Sequence, residues 1–283
     1  MSILDKFMEF MSEPIAQRAL LASIMIGLAN GYISGFVLLR RSALQISTVS
    51  CTLLPGIALA VLLFGLSQWS VLIGAVAAAL IVGLGSLFVS RTSRVDEDSS
   101  LGVIHTVAFA IGYLILVQMG LQQKIDDWLF GSLMGLSNTD LWISFSISAL
   151  TVITLTALQR PLLIHLFEPN IAASLGINGK ILNYSLFALV ILVLVSSLQA
   201  VGAILSVGLL ITPAATIYLL TDRPQWLFWG SSILGAVSAA LAFVLAFPLN
   251  WHISSTIIIV LGVFFLLAYL FSPKYGLFKK TTL

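Results

Sequence analysis

The chain has 283 residues, of which 59% are hydrophobic and 8% charged, against about 25% charged in an ordinary soluble domain. So few charges cannot cover that much apolar surface around one core, and a mean hydropathy of +1.10 places the chain in a bilayer. A net charge of +2 excludes a nucleic-acid-binding chain, and the single cysteine, Cys51, excludes an intramolecular disulfide.

Residues 1–18 carry Asp5, Lys6, Glu9, Glu13 and Arg18 among apolar positions. They lack the basic end and unbroken apolar stretch of a signal peptide. Ile3, Leu4, Phe7, Met8 and Phe10 suit a short helix on the membrane surface, and a solvated tail equally well. Residues 19–39 are free of charge and long enough to span. Gly27, Gly31 and Gly35 recur every four residues there, which lets another helix backbone come close. Asn30 on the same span needs a buried partner.

Residues 42–90 hold two spans with a turn near 65–69. Residues 99–123 hold one, and 141–159 another. Between them, 122–140 carries Asp126, Asp127 and Asp140 around an apolar run too short to cross, read as a half-helix or an interfacial helix. Residues 181–221 divide near 196–202, and 224–273 divide at 248–252. The expected fold is all-α: a polytopic transmembrane helical bundle of about eight or nine spans, forming one domain over residues 1–283.

Basic residues orient it. With Arg40 in the cytoplasm, ten of the 13 Lys and Arg face inward; Lys6, Arg18 and Lys124 face outward. The N-terminus is then outside and the C-terminus cytoplasmic. The joint at 196–202 is the critical one, because failure to re-cross there would turn Arg223 and the Lys279-Lys280 tail outward.

Two spans carry an internal proline, Pro55 in the second and Pro213 in the seventh. Each proline removes a helix hydrogen bond and frees a carbonyl. Interrupted helices of opposite direction point to a central transport site. No catalytic set emerges: His105, His165 and His252 are scattered, and no phosphate-cradling Gly-x-x-x-x-Gly-Lys-Ser/Thr occurs. Any ATP hydrolysis belongs to a separate subunit. Every Asp and Glu sits at or beyond a span end, against a proton-coupled carrier working alone.

Seven segments carry a further pattern: GFVLLRRSAL (35–44), LPGIAL (54–59), DEDSSLG (96–102), LFGSL (129–133), FEPNIAASLGI (167–177), SLQAVGAIL (197–205) and LLITPAA (209–215). In order and spacing they resemble the permease subunits of bacterial ABC importers for divalent metals, the manganese, zinc and iron family. The resemblance covers residues 18–272. It implies a multi-pass permease of the bacterial inner (plasma) membrane that carries a divalent metal as substrate and keeps no permanent cofactor. It also implies two cytoplasmic ATPase subunits, a second permease and an external (periplasmic) metal-binding protein as partners, besides the membrane lipid. ATPase-independent secondary transport, and a degenerate permease working only as half of a heterodimer, are the alternatives.

The fifth segment reads physically as an apolar patch of Phe167, Ala172, Leu175 and Ile177 on a short helix that Gly176 ends. The resemblance makes residues 161–180 the cytoplasmic coupling loop, with Phe167, Glu168, Ala172, Leu175, Gly176 and Ile177 facing the ATPase. The family places an aspartate and a histidine, four residues apart, before its Leu-Pro-Gly. Ser47 and Cys51 stand at the matching positions, one turn apart on one face. A thiolate suits zinc or copper(I) and poorly suits manganese, which tilts the expectation toward zinc. The pathway candidates are Ser47, Cys51, Pro55 and Pro213, with His252 as a compensating ligand.

Overall fold

A backbone in hydrocarbon must satisfy its own hydrogen bonds, so each charge-free run becomes helix. The computed structural model describes residues 13–40, 42–94, 96–249 and 251–272. The surface segment at 3–10, Arg41 and the basic tail of Lys274, Lys279 and Lys280 lie outside the described residues. Among the described residues there are nine long helices: α1 Pro14–Leu39, α2 Ala43–Phe64, α3 Gln68–Thr92, α4 Glu97–Gln118, α6 Asn138–Phe167, α8 Gly179–Ala200, α9 Ala203–Leu220, α10 Pro224–Leu249 and α11 Ile253–Phe271. Short pieces lie between them: α5 Gln122–Phe130, a single 3-10 turn Leu133–Gly135, and α7 Pro169–Ser174. Eight of the long helices are apolar enough to cross a membrane; in α3 the described apolar stretch is Trp69–Val82.

Polar side chains set several helix starts. Ser67 accepts from the Ser70 N–H at the start of α3, and Asp96 from the Ser99 N–H at the start of α4. Ser137 and Asp140 form a reciprocal capping box on α6. The acidic loop residue Asp96 and Asp140 are thus helix caps. Helix α1 starts at Pro14, so residues 14–18 are its first turn and not a separate segment. Helix α6 has 30 residues and runs on through Pro161 to Phe167. That is about 45 Å of helix, more than the roughly 30 Å hydrocarbon core. The loop expected at 161–180 is therefore helical at both ends.

Packing follows small residues. Side chains added at Gly27 and Gly31 of α1 would overlap the backbone of Gly235 and Ser231 in α10, and Gly35 lies under the Phe228 ring. Rising α1 numbers meet falling α10 numbers, so the two helices are antiparallel. Ser232 donates to the Leu28 carbonyl across this seam (2.9 Å). Tyr32, fully buried on α1, packs on Phe228 and edge-on against Trp229. A second tight group joins α2, α3 and α4: Gly56 and Gly74 abut backbone to backbone, and Gly112 of α4 lies against Pro55 of α2.

The joint at 196–202 is a sharp reversal between α8 and α9. Gly202, at φ +89°, caps α9 in a conformation that favours glycine. Helix α11 runs beside α9 throughout: Ser254 donates to the Ala200 carbonyl at one end (3.3 Å), and Ser272 to the Leu219 carbonyl at the other (2.5 Å). Helix α9 therefore crosses the same thickness as α11.

Candidate transport pathway and coupling surface

Ser47 and Cys51 are half-buried on α2, one turn apart. One turn further along, Pro55 is buried against Gly112. Proline has no N–H, so the carbonyl of Cys51 has no helical donor four residues on. A backbone oxygen is thereby freed at the residue that bears the thiol. The next residue along from Ser50 is Cys51, and Ser50 itself faces α9, donating to the Ala203 carbonyl (2.6 Å) and lying 3.4 Å from Ser206 Oγ. His105 lies two turns before Gly112 on α4, with Nδ1 buried and without a partner. Among the described residues no three His, Cys, Asp or Glu side chains come together as a metal site.

The two prolines do not share a level. Ser50 lies beside Ala203 and Ser206, and α2 runs antiparallel to α9. Pro55 is five residues from that contact toward one surface. Pro213 is seven to ten residues from it toward the other, which puts the prolines about 20 Å apart along the helices. Pro213 is buried inside α9, away from the α2 site. His252 is exposed at the start of α11, close to the α8–α9 reversal.

Asn30 is fully buried; its amide donates to Ser197 Oγ (2.7 Å) and the Ile26 carbonyl (2.9 Å), while Oδ1 has no partner. It ties α1 to the last turn of α8. The segment between α4 and α6 docks at the same place. Gly131 (φ +82°), which ends α5, and Gly202 meet backbone to backbone, so a side chain on either would overlap the other strand of chain. Helix α5 is a short amphipathic helix that buries Ile125 and Trp128 and exposes Lys124 and Asp126. Its apolar face is turned into the protein, as either a half-helix or an interfacial helix would allow.

At the opposite end, Phe167, Ile171 and Leu175 are 58%, 52% and 62% exposed at four-residue intervals across the α6–α7 corner. Ala172, expected in this outward patch, is fully buried, and Ile177 packs partly against the core. Ile171 takes the outward place: the chain turns at Glu168, and the exposed face follows 167, 171 and 175. Glu168 is the exposed corner residue, and Gly176 (φ +73°) ends α7 and lets the Ile177 N–H reach the Ala172 carbonyl (2.9 Å). The base of the loop is closed by His165, whose ring occupies the space above Gly179 and lies 3.5 Å from the Asn183 amide. Sequence reasoning missed Ile171 and this His165–Gly179 contact; the four-residue spacing signalled only the first.

Residues 12–272 match the ABC 3 transport family. The chain belongs to that family. Curated relatives include the manganese transport system membrane protein MntC of Halalkalibacterium halodurans, 36% identical over 97% of this chain and 93% of its own length. The manganese import system permease protein ScaB of Streptococcus parasanguinis is 32% identical over 91% of each chain. Among solved structures, PsaBC from Streptococcus pneumoniae in complex with Fab superposes with a TM-score of 0.89 at 27% identity, over 96% of this chain and 98% of that one. As an ABC 3 family member, the chain is a transporter permease subunit with a membrane-spanning helical bundle.

Proposed function

We propose that this permease carries a divalent metal ion inward for an ATP-driven importer, with manganese as the ion. The carrying observation is its likeness, over nearly the whole length of both chains, to permeases named for manganese transport. Manganese prefers hard oxygen donors. The Ser47 hydroxyl and the proline-freed carbonyl of Cys51 supply oxygens on one face of α2, so the thiol need not be the ligand. One of two ATPase subunits docks on the exposed stripe of Phe167, Ile171 and Leu175, with Glu168 and Gly176 shaping the corner, and the other docks on a second permease. The second permease completes the pathway, and an external metal-binding protein delivers the ion at the α5 surface. The stripe faces the cytoplasm, which puts the N-terminus outside.

Zinc is the second reading, and the Cys51 side chain favours it. Uptake measured metal by metal, in vesicles holding this permease with its ATPase and binding protein, separates the two. Manganese uptake should persist in Cys51→Ser, which keeps the backbone carbonyl. It should fall several-fold in Pro55→Ala, which restores the missing N–H. Loss of uptake in Cys51→Ser together with a preference for zinc would move the site to the sulfur. Uptake that continues without any ATPase would end the ATP-driven reading altogether.

A further inference from the structure

An unassigned cavity of about 360 Å³ opens where the end of α9 meets the start of α10. It is lined by Ile217, Leu220, Thr221, Arg223, Trp226 and Gly230. That volume lies within the range of small-molecule sites, about 300–1,000 Å³. Its chemistry is divided along its length. Ile217 and the exposed Leu220 give this open groove an apolar wall, where Gly230 of α10 packs close against the Ile217 side chain of α9. At the mouth stand Arg223, exposed, and Trp226, 59% exposed. The Arg223 backbone N–H donates to Thr221 Oγ1 (3.3 Å), and among the described residues its guanidinium has no ion-pair partner. The neighbouring Asp222 is itself engaged and does not line the cavity.

We propose that this groove binds one anionic phospholipid, its phosphate on Arg223 and an acyl chain along Ile217, Leu220 and Gly230. A guanidinium grips phosphate through parallel N–H bonds. An indole prefers the headgroup level, where its ring is apolar and its N–H is wet. Basic pockets between spanning helices at the cytoplasmic face suit anionic headgroups. A soluble anion would contact only Arg223 and leave the apolar wall of Ile217 and Leu220 uncovered. The shape therefore selects a lipid over free phosphate. The site needs the span ends to lie at the membrane surface, and it holds whichever metal is carried.

The test uses the full-length permease extracted in mild detergent. It is offered equal amounts of phosphatidylglycerol and phosphatidylcholine with identical chains, and retained lipid is counted by native mass spectrometry. The wild type should retain phosphatidylglycerol several-fold over phosphatidylcholine. Arg223→Gln should erase the preference, Arg223→Lys should keep most of it, and Gly230→Leu should reduce retention of both lipids. Millimolar inorganic phosphate should not displace the lipid. Equal retention of the two lipids, an unchanged preference in Arg223→Gln, displacement by phosphate alone, or loss of the lipid when the ATPase binds would each overturn the proposal. Arg223 is an exposed side chain, so its variants keep the fold. Metal uptake is read separately, and its failure would bear on the transported ion and not on the lipid.

Discussion

At the scale of single residues, glycine does two different jobs, and the structure tells them apart. A methyl group at Gly31 would overlap the Ser231 carbonyl, whereas one at Gly262 on α11 meets nothing within 4 Å. Gly31→Ala should therefore cost about 1–3 kcal/mol through forced separation of α1 and α10. Gly262→Ala should be neutral or stabilise by up to about 1 kcal/mol, because alanine is the better helix former. Thermal unfolding of the detergent-solubilised protein checks both, with opposite signs expected. The four-residue glycine rhythm of α1 was legible in the sequence because it is a local period. The facing stripe of Ser231 and Gly235 has the same four-residue spacing. The meeting of Gly131 with Gly202 was not legible, since it joins segments far apart in the chain and no local pattern marks a partner. The need of a buried Asn30 for a partner was legible too, although nothing local marks Ser197 as that partner. Asn30→Ala should cost about 0.6 kcal/mol, with an upper bound near 1.7, the range found for interhelical hydrogen bonds in bilayers; the same unfolding assay reads it.

At the scale of elements, the α6–α7 corner shows where periodicity misleads. Residues 167–177 contain a proline, a six-residue helix and a glycine turn, so one helical wheel cannot describe them. Counting from Phe167 through the corner selects Ile171 and Leu175, and the small Ala172 goes inward where space is least. The exposed stripe sets a clear expectation. Leu175→Asp should abolish uptake and ATPase stimulation while leaving the permease in the membrane, because a charge placed on an apolar docking face is desolvated without a partner. Ile171→Asp should do the same, and Ala172→Asp should instead lower abundance by breaking the core. Membrane fractionation beside uptake distinguishes the two outcomes. Normal uptake in Leu175→Asp would remove the docking role. The paired prolines teach the opposite lesson: their presence on antiparallel spans was evident from sequence, but their depth depends on how α2 slides along α9, which only the Ser50–Ala203 contact fixes.

At the scale of the whole molecule, span number and alternation were legible because charges mark the water and apolar runs mark the lipid. Their lateral arrangement was not, because every span presents much the same apolar surface to its neighbours. The orientation has a direct test, helped by the single native cysteine. In a Cys51→Ser background, cysteines introduced at Asp126 and Glu168 should label from opposite sides of the membrane, Asp126→Cys from outside and Glu168→Cys only after permeabilisation. Labelling of both from one side would break the alternation. One further consequence belongs to α9. It is tethered by α11 near both of its ends, with a proline between those tethers. Helix α9 cannot slide lengthwise past α11 without breaking those bonds, and relative to α11 it yields most easily at the proline. Relative movement of the two helices would then show as a change of curvature in α9 centred on Pro213, where the helical hydrogen bond is missing.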